Sequence, residues 1–371
     1  MIRSTIVILM LLACPAPQAL AQLADTSSTT SVALTLPRLS NEALASALEE
    51  QRPQAPAARP TPPPPPPDTP RRRGSMVGYI EDPVVGSKVR VRFESGRHDP
   101  TPDRAEFFYA KCGCYQDLAP AHPAYDPSAP GPRPGAASDV NFRQLYIMGE
   151  VAASDRLSVF AELPFRWLQP QSFIPGTGAG FDNQAGLSDI RAGARFGLSA
   201  KPGQALTAQV KVLFPSGDPA KGLGTDHWSI EPAFLVYQEL SRAVAIEGQF
   251  AALAPFGGSN GIPTSSDKKF AGTVLSYGVG PSVAVYQSAK VRVAPVVELV
   301  GWHVIDGFET STNADPAAEA NTFNIKYGGR ISWKGAADSA TGGSFYVGFG
   351  HALTDAKWYD DILRVEYRLS F

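Results

Sequence analysis

From Lys88 onward, apolar and polar side chains alternate one for one along segment after segment, the period of a strand with unlike faces. The last nine residues keep this pattern without a fault. Leu363, Val365, Tyr367, Leu369 and Phe371 fall on one face, and Arg364, Glu366, Arg368 and Ser370 on the other. The same reading marks strands at Lys88–Ser95, Asn141–Ala152, Arg156–Leu168, Leu187–Ala200, Ala205–Phe214 and Trp228–Leu240. It continues through Ala243–Leu253, Phe270–Tyr286, Val291–Ile305, Thr322–Trp333, Gly343–Leu353 and Asp361–Phe371. These twelve segments mostly reach the 9–11 residues that a tilted strand needs to cross a bilayer.

The connections sharpen the picture. Gly96–Val140, Gln169–Gly186, Pro215–His227, Pro255–Lys269 and Asp306–Asn321 are long, and between them fall the short links Ala153–Asp155, Lys201–Gln204, Ser241–Arg242 and Gln287–Lys290. Lys334–Gly342 is intermediate and Thr354–Asp360 moderate. Long external loops alternating with short periplasmic turns are expected of an outer-membrane barrel with an even strand count and both termini inside. A soluble sandwich has no reason for that rhythm. The expected fold is therefore all-β, a transmembrane antiparallel up-and-down barrel of about twelve strands. A closing strand that ends on an aromatic carboxylate resembles the terminal strand of bacterial outer-membrane barrels. That resemblance implies engagement of the barrel-assembly machinery through Phe371.

Parity assigns the two faces. Apolar residues such as Val89, Leu163, Phe165, Phe196, Val210, Phe214, Ile331 and Trp333 point outward. Inward fall Lys88, Arg90, Arg92, Glu94, Glu162, Arg166, Asp189, Arg191, Arg195, Arg292, Glu298, Lys326, Arg330, Arg364, Glu366 and Arg368. Lys211, Glu231, Glu239 and Glu247 join them. An Arg or Lys on the lipid face costs about 2–4 kcal/mol at the midplane, which explains this segregation. The inward set supplies the candidate lumen and selectivity residues. At closure Lys88, Arg90, Arg92 and Glu94 should lie beside Arg364, Glu366 and Arg368. That mildly cationic patch is either a selectivity element for anionic or zwitterionic solutes or a structural ion-pair ladder.

Before Lys88 the chain changes character. Met1–Ala21 reads as a signal peptide, with an apolar run from Thr5 to Ala13 and an Ala19-Leu20-Ala21 site before Gln22. A competing lipobox, Leu11-Leu12-Ala13-Cys14, would make Cys14 a lipidated first residue. Residues 22–86 read as a disordered, Pro-rich periplasmic arm, with six prolines at Pro62–Pro67 followed by Arg71-Arg72-Arg73. The expected organisation is then 1–21 signal, 22–86 arm and 87–371 barrel. The signal's apolar run is too short for a permanent transmembrane helix, and no run beyond it is long enough for one.

Overall charge excludes one class of partner. The 33 basic and 35 acidic residues leave a net charge of −2 with no basic helix, so nucleic acid is not expected. Cys112 and Cys114, in an exported chain, are read as a small loop disulfide or two free thiols. They have no neighbouring His ligands, and neither a metal nor a cofactor is expected.

Two segments carry a family resemblance. Gly186-Leu187-Ser188-Asp189-Ile190-Arg191-Ala192-Gly193 resembles a G-L-x-D-hydrophobic-x-x-G pattern opening a strand. Leu213-Phe214-Pro215-Ser216-Gly217-Asp218, continuing to Leu223-Gly224-Thr225-Asp226, resembles an L-x-P-[TS]-G-D…LGT loop. Together they are similar to the outer-membrane "MetA-pathway of phenol degradation" proteins. The resemblance implies a barrel and suggests transport of aromatic or other hydrophobic compounds. Taken on their own chemistry, Pro215, Gly217, Asp218, Gly224 and Asp226 are constriction-loop candidates, although turn geometry alone accounts for them.

Enzymatic readings find less support. His303 and His351 lie in strand segments without a nucleophile motif nearby, and His98, His122 and His227 are scattered in loops. The expectation is a non-enzymatic outer-membrane channel for passive uptake of small organic solutes. The alternatives are a structural or adhesive barrel with a filled lumen, whose loops or arm bind partners, and a barrel lipid hydrolase.

Overall fold

The computed structural model describes residues 74–102, 111–265, 267–310, 321–334 and 342–371. Its twelve long strands are β1 (Lys88–Asp99), β2 (Ala137–Ser154), β3 (Leu157–Phe173), β4 (Arg191–Lys201), β5 (Gln204–Leu213) and β6 (Trp228–Glu239). They continue with β7 (Val244–Phe256), β8 (Val274–Val283), β9 (Val291–Val304), β10 (Asn321–Lys334), β11 (Gly342–Ala352) and β12 (Asp361–Ser370). Each pairs antiparallel with its neighbour in sequence, and β12 pairs with β1 to close the barrel. Two short segments, Gln184–Leu187 and Tyr286–Gln287, extend the ladder beside β3 and β9.

The closing register follows from the alternation. Lys88 faces Ser370, Arg90 faces Arg368, Arg92 faces Glu366 and Glu94 faces Arg364. The predicted neighbours across the seam are thus direct partners. Burial is inverted relative to a soluble protein. Val89, Leu163, Phe165, Phe196, Val210, Ile331 and Trp333 are exposed, whereas Lys88, Arg90, Glu162, Arg330 and Glu366 are buried. No water reaches a bilayer core to satisfy backbone polar groups, so a closed ladder with an apolar exterior is one of the two architectures that can span it. Aromatics gather towards both rims. Phe165, Trp167, Trp228 and Phe256 are exposed towards the ends that carry long loops, and Tyr286, Trp333, Tyr367 and Phe371 towards the ends that carry tight turns.

Two predicted strands are revised. The segment starting at Phe270 becomes a strand only at Val274, because Phe270 is buried in a loop cluster with Cys112, Cys114 and Tyr115. The segment from Leu187 is interrupted at Ser188–Ile190, and β4 begins at Arg191, because the Asp189 carboxylate is committed to loop backbone instead of the ladder.

The main correction concerns the arm. The signal region, Cys14, the polyproline run and Arg71–Arg73 lie outside the described residues. Residues 75–80, assigned to the arm from their composition, are instead buried within the barrel, as are Asp82, Pro83 and Val85. Met76 lies low in the barrel, where its backbone N–H reaches Glu247 near the start of β7. Tyr79 stands higher, its hydroxyl donating to the Gly348 and Ile362 carbonyls. The chain then descends to Ser87, whose hydroxyl accepts from Ala152 N–H and whose carbonyl accepts from Phe371 N–H. Residues 75–87 therefore form a re-entrant segment that enters and leaves on the periplasmic side.

Small residues make room for it. Ile80 and Val77 lie against Gly280, where an added Cβ would meet both, and Gly78 lies flat against the Tyr346 ring. A Cβ on Gly78 would come 2.1 Å from that ring. Gly78→Leu is expected to keep the segment from seating while the barrel still folds as a heat-modifiable band. Limited proteolysis with mass spectrometry should then show new cleavage within residues 74–86; an unchanged digest would contradict this placement.

Candidate functional site

All sixteen inward-facing candidates sit on lumen-directed positions, fifteen of them buried and Arg191 half-buried. Most of them form a shared lattice of ion pairs. Glu162 accepts from Arg90 at 3.0 Å and Arg191 at 3.3 Å and lies 3.6 Å from Arg92. Glu366 binds Arg330 and Arg368, both at 2.8 Å. Glu94 lies 3.3 Å from Arg92 and also pairs with Arg364. Arg292 borders Tyr237.

The wall carboxylates do not match the wall cations, and the re-entrant segment makes up the difference. Glu81 binds Arg90 at 3.1 Å and Arg195 at 3.3 Å. Asp82 binds Lys88 at 2.7 Å and Arg368 at 2.8 Å. Sequence reasoning missed both residues, as well as Glu150, which binds Arg195 at 2.9 Å. Glu150 obeys the same parity as its neighbours on β2 and could have been found by it.

The converse holds for Glu247 and Glu298. Among the described residues neither carboxylate forms an ion pair; both accept hydrogen bonds from the backbone of the segment. Glu298 receives the N–H groups of Gly78 at 3.1 Å, Tyr79 at 2.9 Å and Ile80 at 2.7 Å. Glu247 receives those of Met76 at 2.9 Å and Val77 at 3.4 Å. Arg330 completes the seat by donating to the Met76 carbonyl at 3.1 Å and the Val77 carbonyl at 2.7 Å. Buried backbone groups must find partners, and here the wall supplies them.

A cavity of about 200 Å³ remains beside the segment. It is bordered by Arg92, Arg191, Lys326 and Arg364, together with the rings of Tyr79, Tyr146, Trp302 and Tyr359. Arg92 stands 4.1 Å from the Tyr146 ring centroid, and Lys326 and Arg364 each 4.0 Å from that of Tyr79. These are cation–π distances.

At the outer end, the two predicted motifs meet on one side chain. Asp189 accepts at Oδ1 from Ser216 N–H (3.1 Å) and Gly217 N–H (2.9 Å), and at Oδ2 from Thr225 N–H (2.8 Å) and its hydroxyl (2.7 Å). Asp218 caps the turn at Pro219–Lys221 through Ala220 N–H, and Gly222 closes it in the left-handed region at φ 70°. Leu223 is buried in the main apolar cluster. Gly217 and Gly224 pack so closely that a Cβ on either would strike the other's backbone, and Pro215 precedes this crossing. Asp226 adopts φ 60°; burial, aided by Asp189, pushes its carboxyl up despite His227. The loop thus folds inward at the mouth.

A second cover lies beside it. Cys112 and Cys114 are joined by a disulfide within the loop after β1. That loop bonds Thr177, after β3, through Ala136 N–H, and Asn260, after β7, through buried Lys111. β3 and β7 stand four places apart in the ring of twelve, so the loop crosses part of the mouth. Lys111 also pairs with Asp126 at 3.0 Å; burial holds its ammonium below the usual lysine range, and bonds from Ser128 and Lys111 hold Asp126 low against its own burial.

Among the described residues the histidines assemble no catalytic set. His351 lies between Asp361 and the Tyr327 hydroxyl, and His303 bonds Asn321, both at exposed positions. Among the described residues no group of three His, Cys, Asp or Glu side chains is placed to hold a metal ion.

The family model for "Putative MetA-pathway of phenol degradation" matches residues 127–257. That stretch runs from before β2 to the end of β7 and contains both motifs tied by Asp189, so it bears out the resemblance read from them. The chain is a β-barrel of the bacterial outer membrane. No curated protein matches it. Among solved structures it is similar to an outer membrane channel from Pseudomonas putida F1, at 14% identity over 80% of this chain and 99% of that one, with a TM-score of 0.46. It is also similar to the beta domain of the Bordetella autotransporter BrkA (14% identity, 77% and 100% covered, TM-score 0.42). LpxR from Salmonella typhimurium is a further match (11%, 77% and 100%, 0.39).

A hydrogen bond to a charged group contributes about 1.5–3 kcal/mol. Asp189→Asn replaces an acceptor oxygen with a donor that faces other donors. The expected result is a stability loss of about 3 kcal/mol, seen as a lower thermal midpoint, together with faster proteolysis within residues 214–227.

Proposed function

We propose that the protein is a non-enzymatic outer-membrane channel for passive passage of small organic solutes, and that this structure is its closed form. The observation that carries the reading is how residues 75–87 are held. Apart from the Ser87 carbonyl, which accepts from Phe371 N–H, they pair with no strand; side chains of the wall grip them, and they enter and leave by the same rim. Withdrawal toward the periplasm would therefore open the lumen without breaking a ladder. The cavity beside Tyr79 is the part of the pathway that the segment leaves unfilled. Charged and aromatic walls of this kind suit polar or aromatic solutes.

A second reading, a structural barrel with a filled lumen, is favoured by the same burial of the segment. Conductance separates the two. In planar bilayers the wild-type protein is expected to show rare, brief openings. Glu247→Gln with Glu298→Gln weakens the grip on five backbone N–H groups. That variant should raise the open probability at least tenfold. Silent membranes with both proteins, despite insertion, would favour the filled barrel.

A further inference from the structure

The segment that fills the lumen also describes what the lumen is shaped to hold. Lys88, Arg90, Arg195 and Arg368 each touch one wall carboxylate and one carboxylate of the segment. The wall carboxylates, Glu150, Glu162 and Glu366, are divided among these four cations, and two of them serve further arginines. When Glu81 and Asp82 leave, the four cations stay in a narrow polar lumen with too little negative charge around them. Uncompensated buried charge is unfavourable, so an entering anion is favoured at these positions. Tyr79 adds a second feature. Its ring lies 4.0 Å from both the Lys326 ammonium and the Arg364 guanidinium, two residues before the Glu81 carboxylate. The segment thus presents a ring and carboxylates to a seat lined with cations.

We infer that this seat is the solute site of the channel, and that it takes small aromatic carboxylates in place of Tyr79, Glu81 and Asp82. The inference rests on the channel reading above and adds the chemical class of the solute. Charge sets the preference, and the cation–π faces of Lys326 and Arg364 favour a ring over an alkyl chain. Each bound carboxylate replaces one that the closed form already holds there, so no wall group has to change partner type.

Two experiments on the full-length protein test it. First, Glu81→Gln with Asp82→Asn removes the segment's two carboxylates from the seat. At matched ionic strength, millimolar benzoate should raise the thermal midpoint of this variant by several degrees and that of the wild type much less. Acetate should act more weakly, and benzamide, of the same shape without charge, not at all. Equal effects of benzoate and benzamide would overturn the proposal, and acetate equal to benzoate would remove its aromatic half. Second, and independent of whether that variant folds, the Glu247→Gln/Glu298→Gln channel should show an anion-selective reversal potential in a potassium chloride gradient. Adding Arg90→Gln and Arg368→Gln should lower the chloride-to-potassium permeability ratio several-fold; a cation-selective pore, or a ratio indifferent to those changes, would refute it. Absence of current in every variant while benzoate still stabilises Glu81→Gln/Asp82→Asn would overturn the channel and leave the carboxylate seat standing.

Discussion

Pairing of the lumen charges is the constraint on which the rest of the structure depends. A strand that turns its apolar face to lipid must turn its charges inward, and a narrow interior must then neutralise them. The wall does this only in part. Arg90 and Arg368 face each other directly across the β1–β12 seam, a like-charge pair that would be unfavourable alone. Glu162 and Glu366 relieve it from the wall, and Glu81 and Asp82 relieve it from the re-entrant segment. In the opposite sense, Glu247 and Glu298 form no ion pair among the described residues and are satisfied by the segment's backbone N–H groups. Removing one member of a buried charged pair costs about 3–5 kcal/mol. Wall and segment are therefore complementary: each supplies the charge or the donors that the other lacks.

Much of this was legible in the chain, and the part that was not has a physical reason. A tilted strand repeats every two residues whatever its neighbours do, so parity alone placed Glu162, Arg195, Arg330 and Glu366 inside and located each of the twelve strands to within a few residues. Loop length then gave closure and the pairing of β1 with β12. The re-entrant segment has no such period. It is extended, contains Gly78 and Pro83, and is held by side chains from β7, β9 and β10 that lie roughly 170 to 250 residues away in sequence. Composition made it look like more linker. Two signals were present all the same. Met76-Val77-Gly78-Tyr79-Ile80 is an apolar run two residues beyond Arg71–Arg73, and the inward face of the strands carries more cations than carboxylates.

The outer end illustrates a different kind of legibility. The two motifs were recognisable as separate strings, but their spacing says nothing of why they occur together. The structure supplies the reason: one carboxylate, Asp189, holds both ends of the loop that the second motif encodes. Asp189 is therefore a clamp at the mouth more than a lining charge, and its commitment to loop backbone is what breaks the predicted strand before Arg191. Phe270 departs from its predicted strand for a related reason. It packs against Tyr115 and Phe308, and a ring buried under the cover over the mouth cannot also face lipid.

The two closures differ in what opening them would require. The outer cover is built from apolar contacts, a disulfide and a buried Lys111–Asp126 pair, so lifting it would expose an apolar cluster to water. Besides Met76, Val77, Tyr79 and Ile80, which belong to the main buried apolar cluster, the inner segment is held by hydrogen bonds and ion pairs whose wall partners would face a hydrated lumen once it withdrew. Water or an incoming anion can take over those contacts one by one, because charged groups exchange partners of the same kind with little net change, whereas an apolar cluster gains no substitute partner from water. The polar part of the inner hold can thus be exchanged group by group, while its apolar part must be exposed as the outer cover's would be. Withdrawal of the segment would leave the Asp189 clamp intact, so under the channel reading control of the lumen falls to residues 75–87.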